Sequence, residues 1–297
     1  MANDWRQLER GQTARLCIFD IASGQKQVVY ESNDGVIEAP NWSPDGSWLI
    51  YNKDGLIYRL PWDGSGKPAL LDTGDVSDAN NDHVLSPDGT FVYLTSQNGH
   101  LYEVPVQGGT PRRVSNEHGH PFRYFLHGIS PDGKMLAYTG AEEVNGNAFG
   151  SLNIFTIPVA GGDDIQLTRS DKPNDGPEYS PDGDWIYFNS EMASSVPGHA
   201  QLFKMRADGS EVTQLTHDDK VNWFPHVSPD GSMVVYMSYE LGTRGHPANK
   251  TVELLCMPPE GGKSEQLLRL FGGQGTINVN SWAPDSRRFA FVEYPVS

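Results

Sequence analysis

A tetrapeptide, Ser-Pro-Asp-Gly, recurs along this chain at 43–46, 86–89, 130–133, 180–183 and 228–231, with an altered sixth copy, Ala283-Pro284-Asp285-Ser286. Successive copies begin 43 to 55 residues apart. A motif returning at that period marks a repeat architecture, in which one supersecondary unit stacks on copies of itself. The chemistry of the motif is that of a tight turn. Proline presets φ at the second position, aspartate bonds nearby backbone, and glycine accepts the left-handed conformation that closes a hairpin. One structural role accounts for all six aspartates, so they are read as turn formers and not as catalytic groups or metal ligands. Ser286 stands where glycine is expected, a departure worth on the order of 1 kcal/mol.

Each copy precedes a short run rich in aromatic and β-branched residues, such as Trp48-Leu49-Ile50-Tyr51 and Trp185-Ile186-Tyr187-Phe188. Such runs between turn formers read as buried strands. A second half follows: a strand ending near proline (Leu101-Tyr102-Glu103-Val104-Pro105), a glycine turn (Gly108-Gly109), and a fourth strand. One unit is therefore four antiparallel strands, the content of a propeller blade. Residues 14–31 are a second half without a first, and residues 281–294 a first half without a second. Joined, they make a composite blade, so the chain is expected to be an all-β, six-bladed propeller closed by both termini. Closure removes the free sheet edge that would otherwise invite aggregation. The whole chain, 1–297, is read as one domain, with about 1–13 an extension forming an arm or a strap.

The pattern of hydrophobic-Ser-Pro-Asp-Gly, aromatic strand, Leu-Tyr-x-x-Pro and Gly-Gly resembles the six-bladed propeller of TolB and its relatives, over essentially all of the chain after about residue 13. Similar repeats occur in the propellers of prolyl-type peptidases, tricorn-like proteases and oligogalacturonate lyases. The resemblance implies a scaffold that binds a protein segment or small ligand. TolB also has an N-terminal domain and works in the periplasm with the Tol–Pal system; the sequence here offers neither that domain nor a secretory signal, and a cytoplasmic location is expected.

Composition narrows the function classes. The formal net charge of −16 disfavours nucleic acid and anionic membrane as partners. Two cysteines, Cys17 and Cys256, fall in different registers of the repeat, so no disulfide is expected. No Gly-x-Ser-x-Gly elbow, phosphate-binding loop or zinc-spaced cysteine pair is present.

Counting strands outward places the motif turns and the Gly-Gly turns on one face of the ring. The long loops (139–151, 190–201 and 238–252) and the crossovers between blades then lie on the other, where function usually concentrates. All nine histidines map to that loop-rich side. His83, His127 and His226 lie two or three residues before their motifs, on the innermost strand; Asn41, Glu178 and Asn280 occupy matching positions in the other blades. These six are expected to line the mouth of the channel as ligand-binding residues. The three imidazoles could hold Zn²⁺ or Mn²⁺, with Glu178 as ligand or general base. That is the alternative reading, a metal-assisted lyase or hydrolase acting on an acidic carbohydrate or similar small substrate. Arg123 and Tyr124 are expected to bind a carboxylate or sugar, the ring by stacking.

Overall fold

The structure is a computed structural model and describes residues 5–296. Each complete motif copy makes the turn its chemistry implies. The serine hydroxyl donates to the aspartate two residues on (Ser43 to Asp45 2.6 Å, Ser180 to Asp182 2.5 Å), and the glycine N–H returns to the serine carbonyl. The motif glycines all sit at positive φ, between 70° and 78°. Ser286 adopts the same conformation, at φ 56°, and its hydroxyl accepts the backbone N–H of Asp230 in the neighbouring copy at 3.0 Å. The missing glycine is thus partly offset by an interblade hydrogen bond.

Five four-stranded antiparallel sheets follow one another, beginning with Ile37–Trp42, Trp48–Lys53, Leu56–Pro61 and Ala69–Leu70. The sixth joins the two ends of the chain. Arg288–Glu293 pairs with Ala14–Asp20, from Arg15 opposite Glu293 to Asp20 opposite Arg288, and Gln25–Ser32 adds outside it. The innermost strand of this blade is reduced to a bridge between Trp282 and Phe289. The protein is therefore an all-β, six-bladed propeller closed by both termini. Its core lies between blades, where buried aromatic residues such as Tyr51, Tyr138, Tyr236 and Phe291 pack against their neighbours. Cys17 and Cys256 are free, and both pack in one of these layers. Among the described residues no helix is long and apolar enough to cross a membrane.

Two features shape the centre of the ring. First, the inner strands are bulged. Their registers skip between Glu38 and Asn41, Asp175 and Glu178, and Trp223 and His226. The skipped pairs are Ala39-Pro40, Gly176-Pro177 and Phe224-Pro225, each with its first residue at positive φ. A left-handed residue followed by proline, which has no N–H for the ladder, cannot continue regular pairing. Second, the segment 139–151, expected to be a loop, is a ribbon. The strands Met135–Val144 and Asn147–Pro158 pair out to Val144 opposite Asn147, and Asn145-Gly146 turns at φ 53° and 79°. Asn-Gly is the favoured sequence for this two-residue hairpin turn.

The described residues before the ring, from Trp5 on, are tied to it through Arg6. Arg6 donates to the Gln274 carbonyl (2.6 Å), Asn249 Oδ1 (2.9 Å) and Glu38 Oε1 (3.3 Å), and its guanidinium lies 4.1 Å from the centre of the Tyr294 ring.

Candidate functional site

Five of the six residues expected at the channel mouth form a buried belt. His83 Nδ1 meets Asn41 Oδ1 at 2.6 Å, and Asn41 Nδ2 donates to the Asn280 carbonyl at 2.9 Å. Asn280 Nδ2 donates to Glu178 Oε1 at 2.7 Å, and His226 Nδ1 meets Glu178 Oε2 at 2.5 Å. The Val227 N–H also donates to Glu178, at 2.9 Å. Glu178 and Asn280 belong to blades that are not neighbours, so the bond between them skips the blade of His226, while the other side-chain bonds join adjacent blades. Asn41, Glu178 and Asn280 do not open on the loop-rich mouth. They line a cavity of about 300 Å³ at the opposite end, rimmed by the motif prolines Pro44, Pro87, Pro131, Pro181 and Pro229. For Asn41 and Glu178 a bulge directly precedes the residue, and skipping a residue on the inner strand re-aims the side chains that follow.

The expected metal ligands are not brought together. Both ring nitrogens of His226 are committed, to Glu178 and to the Ile277 carbonyl at 2.5 Å. His83 is wholly buried; burial pushes its pKa down to about 3, and its Nε2 has no hydrogen-bond partner. His127 Nδ1 meets the Asn278 carbonyl at 3.0 Å. Among the described residues no group of three His, Cys, Asp or Glu side chains could hold a metal ion. Tyr124 is also misjudged from sequence. It is 0 % exposed, its hydroxyl bonds Asp164 at 2.9 Å, and it offers no face to a ligand. Arg123 reaches the Gln97 carbonyl at 2.6 Å.

The loop-rich side holds a different site, a cavity of about 380 Å³. His127, shared with the other cavity, is one of its walls; Asp82, Asp175 and His246 are the other ionisable ones. His127 Nε2 lies 3.4 Å from Asp175 Oδ1 and 4.0 Å from Asp82 Oδ1. Burial alone would lower the pKa of His127, but the two carboxylates outweigh it and lift the ring to about 9. Asp175 is held at about 2, because its bond to His127 and its charge attraction outweigh burial. Asp82 has fewer donors, and burial lifts it to about 6 against the opposing pull of His127. Thr139 Oγ1 and the Gly176 N–H bond Asp175 Oδ1 at 2.7 and 2.8 Å. The apolar walls are Phe125, Phe149, Leu152 and Phe224. Phe149 stands on the Asn145-Gly146 hairpin and Phe224 on a bulge.

Sequence reasoning missed Asp82, Asp175, His246 and Phe149. Two signals were available: the Asn-Gly hairpin turn, and aspartates four or five residues before the motif rather than two or three.

With this geometry described, comparison with known proteins gives the family. The PD40 description, TolB beta propeller domain, matches residues 130–293. An uncharacterized protein of Agrobacterium fabrum is 40% identical over 281 residues, covering 93% of this chain and 91% of its own. The structure of a TolB candidate from Agrobacterium tumefaciens superposes with a TM-score of 0.87 at 38% identity, covering 96% of this chain and 99% of that one. TolB from Acinetobacter baumannii matches at a TM-score of 0.64 and 22% identity, over 89% of this chain and 65% of that one, a likeness of fold. The chain belongs to the TolB β-propeller family.

Proposed function

We propose that this protein is a non-catalytic binding propeller that holds a small ligand or a protein segment in the loop-side cavity. The observation that carries this reading is the cavity itself: about 380 Å³ at the centre of the ring, with four ionisable side chains converging between aromatic walls. A concave, largely apolar site with a few placed polar groups is the usual form of a ligand pocket. Metal-assisted chemistry on an acidic carbohydrate gains no support. Of the three histidines it needs, His226 has both ring nitrogens bonded, His83 is wholly buried and His127 faces the two aspartates, and Asp82 and Asp175 would repel an acidic sugar. A cytoplasmic location belongs to the same proposal and is checked by cell fractionation.

The test is a thermal-shift screen of cationic, neutral and anionic small molecules and short peptides against the parent and Leu152→Trp. Leu152 lines the cavity, and the larger ring fills it. Ligands that raise the melting temperature of the parent and leave the variant unmoved support the reading. Equal shifts in both proteins, or no ligand at all, overturn it.

A further inference from the structure

The hydrogen-bond roles around the loop-side cavity can be traced from a backbone group whose proton is certain. The Gly275 N–H donates to Asn278 Oδ1 at 2.8 Å, which orients that amide. Asn278 Nδ2 must then be the donor to Gln274 Oε1, at 3.2 Å. The same oxygen faces His246 Nδ1, so that nitrogen carries the ring hydrogen. Burial lowers the pKa of His246, leaving the ring neutral. Its Nε2 is therefore a bare acceptor, and it lies 3.9 Å from Asp175 Oδ2.

Two carboxylate oxygens share this condition. Asp175 takes its hydrogen bonds from Thr139 and Gly176 on Oδ1, leaving Oδ2 without a donor among the described residues. Asn80 donates to Asp82 Oδ2 at 2.6 Å, while Asp82 Oδ1 has only His127, 4.0 Å away. Both aspartates are at least nine-tenths buried. Acceptors that line one cavity with no hydrogen between them favour a donor there. Charge points the same way. The His127 imidazolium offsets one of the two carboxylates and Arg6 answers Glu38, which leaves one negative charge in the cavity. The missing group is a cation with several N–H donors. A bare divalent ion fits poorly, since the imidazolium beside the carboxylates repels it and no suitable cluster of ligands is present among the described residues. The walls, Phe125, Phe149 and Phe224, suit an apolar body and can face a cation with their rings.

We propose that the loop-side cavity binds a primary ammonium group carried on an apolar body, with Asp175 Oδ2, Asp82 Oδ1 and His246 Nε2 accepting its hydrogens. This rests on the reading of the cavity as the ligand site and names the chemistry of the ligand. The ammonium could come from a free arylalkylamine or from a lysine side chain, and the test separates the two.

Titration calorimetry would compare 2-phenylethylamine, 2-phenylethanol and 3-phenylpropionate, which share a ring and differ in charge. A capped lysine peptide and calcium complete the set. The amine should bind about tenfold or more tightly than the alcohol, and the carboxylate should not bind. Asp175→Asn and Asp82→Asn, two separate variants in case one fails to fold, should each weaken the amine about tenfold. Amine binding should also weaken as the pH falls through about 6, where Asp82, facing His127, Asp175 and Glu38, takes up a proton. Binding of either the amine or the lysine peptide supports the proposal and tells which source fits. Equal affinity for amine and alcohol, unchanged binding in both variants, or a response to calcium alone overturns it. A neutral or anionic ligand whose binding Leu152→Trp abolishes would overturn the ammonium assignment and leave the binding reading standing.

Discussion

At the scale of single residues, the centre of the ring is governed by how buried charges are paired. Glu178 is 5 % exposed, yet it accepts from His226, the Val227 N–H and Asn280, so the charge is surrounded by donors. His127 is the other case, an imidazolium held between Asp82 and Asp175. Its pKa is raised to about 9 from an ordinary 6.5, so the folded protein holds this proton more tightly than the unfolded chain. The resulting stability is fully present below about pH 6.5 and is lost as the pH rises through about 9. The loss is on the order of 3 kcal/mol. Urea unfolding from about pH 7 to about pH 10 should show a fall in the parent that His127→Gln lacks. Parallel curves for the two proteins would show that His127 is not charged in the fold. The motif residues behave differently, since their serine and aspartate side chains are spent on their own turns.

At the scale of elements, two irregularities make the cavity. The bulges stop the inner strands from pairing regularly, and one of them brings Phe224 to the cavity at a positive φ of 55°. A left-handed conformation in a bulky residue is costly and persists only where the surroundings hold it. The hairpin of Met135–Val144 and Asn147–Pro158 carries Phe149 beside Phe125, with ring centres 6.0 Å apart. Its turn depends on Gly146 at φ 79°. Gly146→Val should cost about 1–2 kcal/mol locally, because a β-branched side chain clashes in that conformation. The melting temperature of the ring should scarcely change, while chymotrypsin should cleave at Phe149 faster than in the parent. Unaltered cleavage would mean that the turn does not hold the hairpin. The ribbon is legible in Asn145-Gly146, the favoured dipeptide of a two-residue hairpin turn.

At the scale of the whole molecule, the ring is held shut by one antiparallel pairing between strands nearly 270 residues apart in sequence, Ala14–Asp20 with Arg288–Glu293. Lys26 reinforces it through an ion pair to the largely buried Glu293 at 2.8 Å. Deleting residues 288–297 removes the buried Phe289 and Phe291 and leaves Ala14–Asp20 without its inner partner. That truncation should abolish cooperative unfolding and send the protein to aggregates, as read by calorimetry and light scattering. Removing the residues before Gly11 takes away the Arg6 contacts but no pairing of the ring, and should lower the melting temperature by only about a few degrees. Cooperative unfolding of the first truncation would show that the ring does not depend on its closing blade.

The ring was legible in the chain because its information is local and repeated. Ser-Pro-Asp-Gly dictates a turn through the φ preferences of Pro and Gly, and six returns of the motif count the blades. The composite blade followed from two half-units at the ends. The six inner-strand positions were expected to line the loop-rich mouth, and which end of the channel each serves was not legible. Asn41, Glu178 and Asn280 face the motif-side cavity, and His83 is sealed in between neighbours. That outcome depends on bulges, which shift register, and on bonds such as Asn280 to Glu178 between residues 102 apart in sequence. The loop-side cavity depends still more on tertiary structure. Asp82, His127, Asp175 and His246 come from four different blades, and their charges and hydrogen-bond roles exist only because the closed ring places them together away from water.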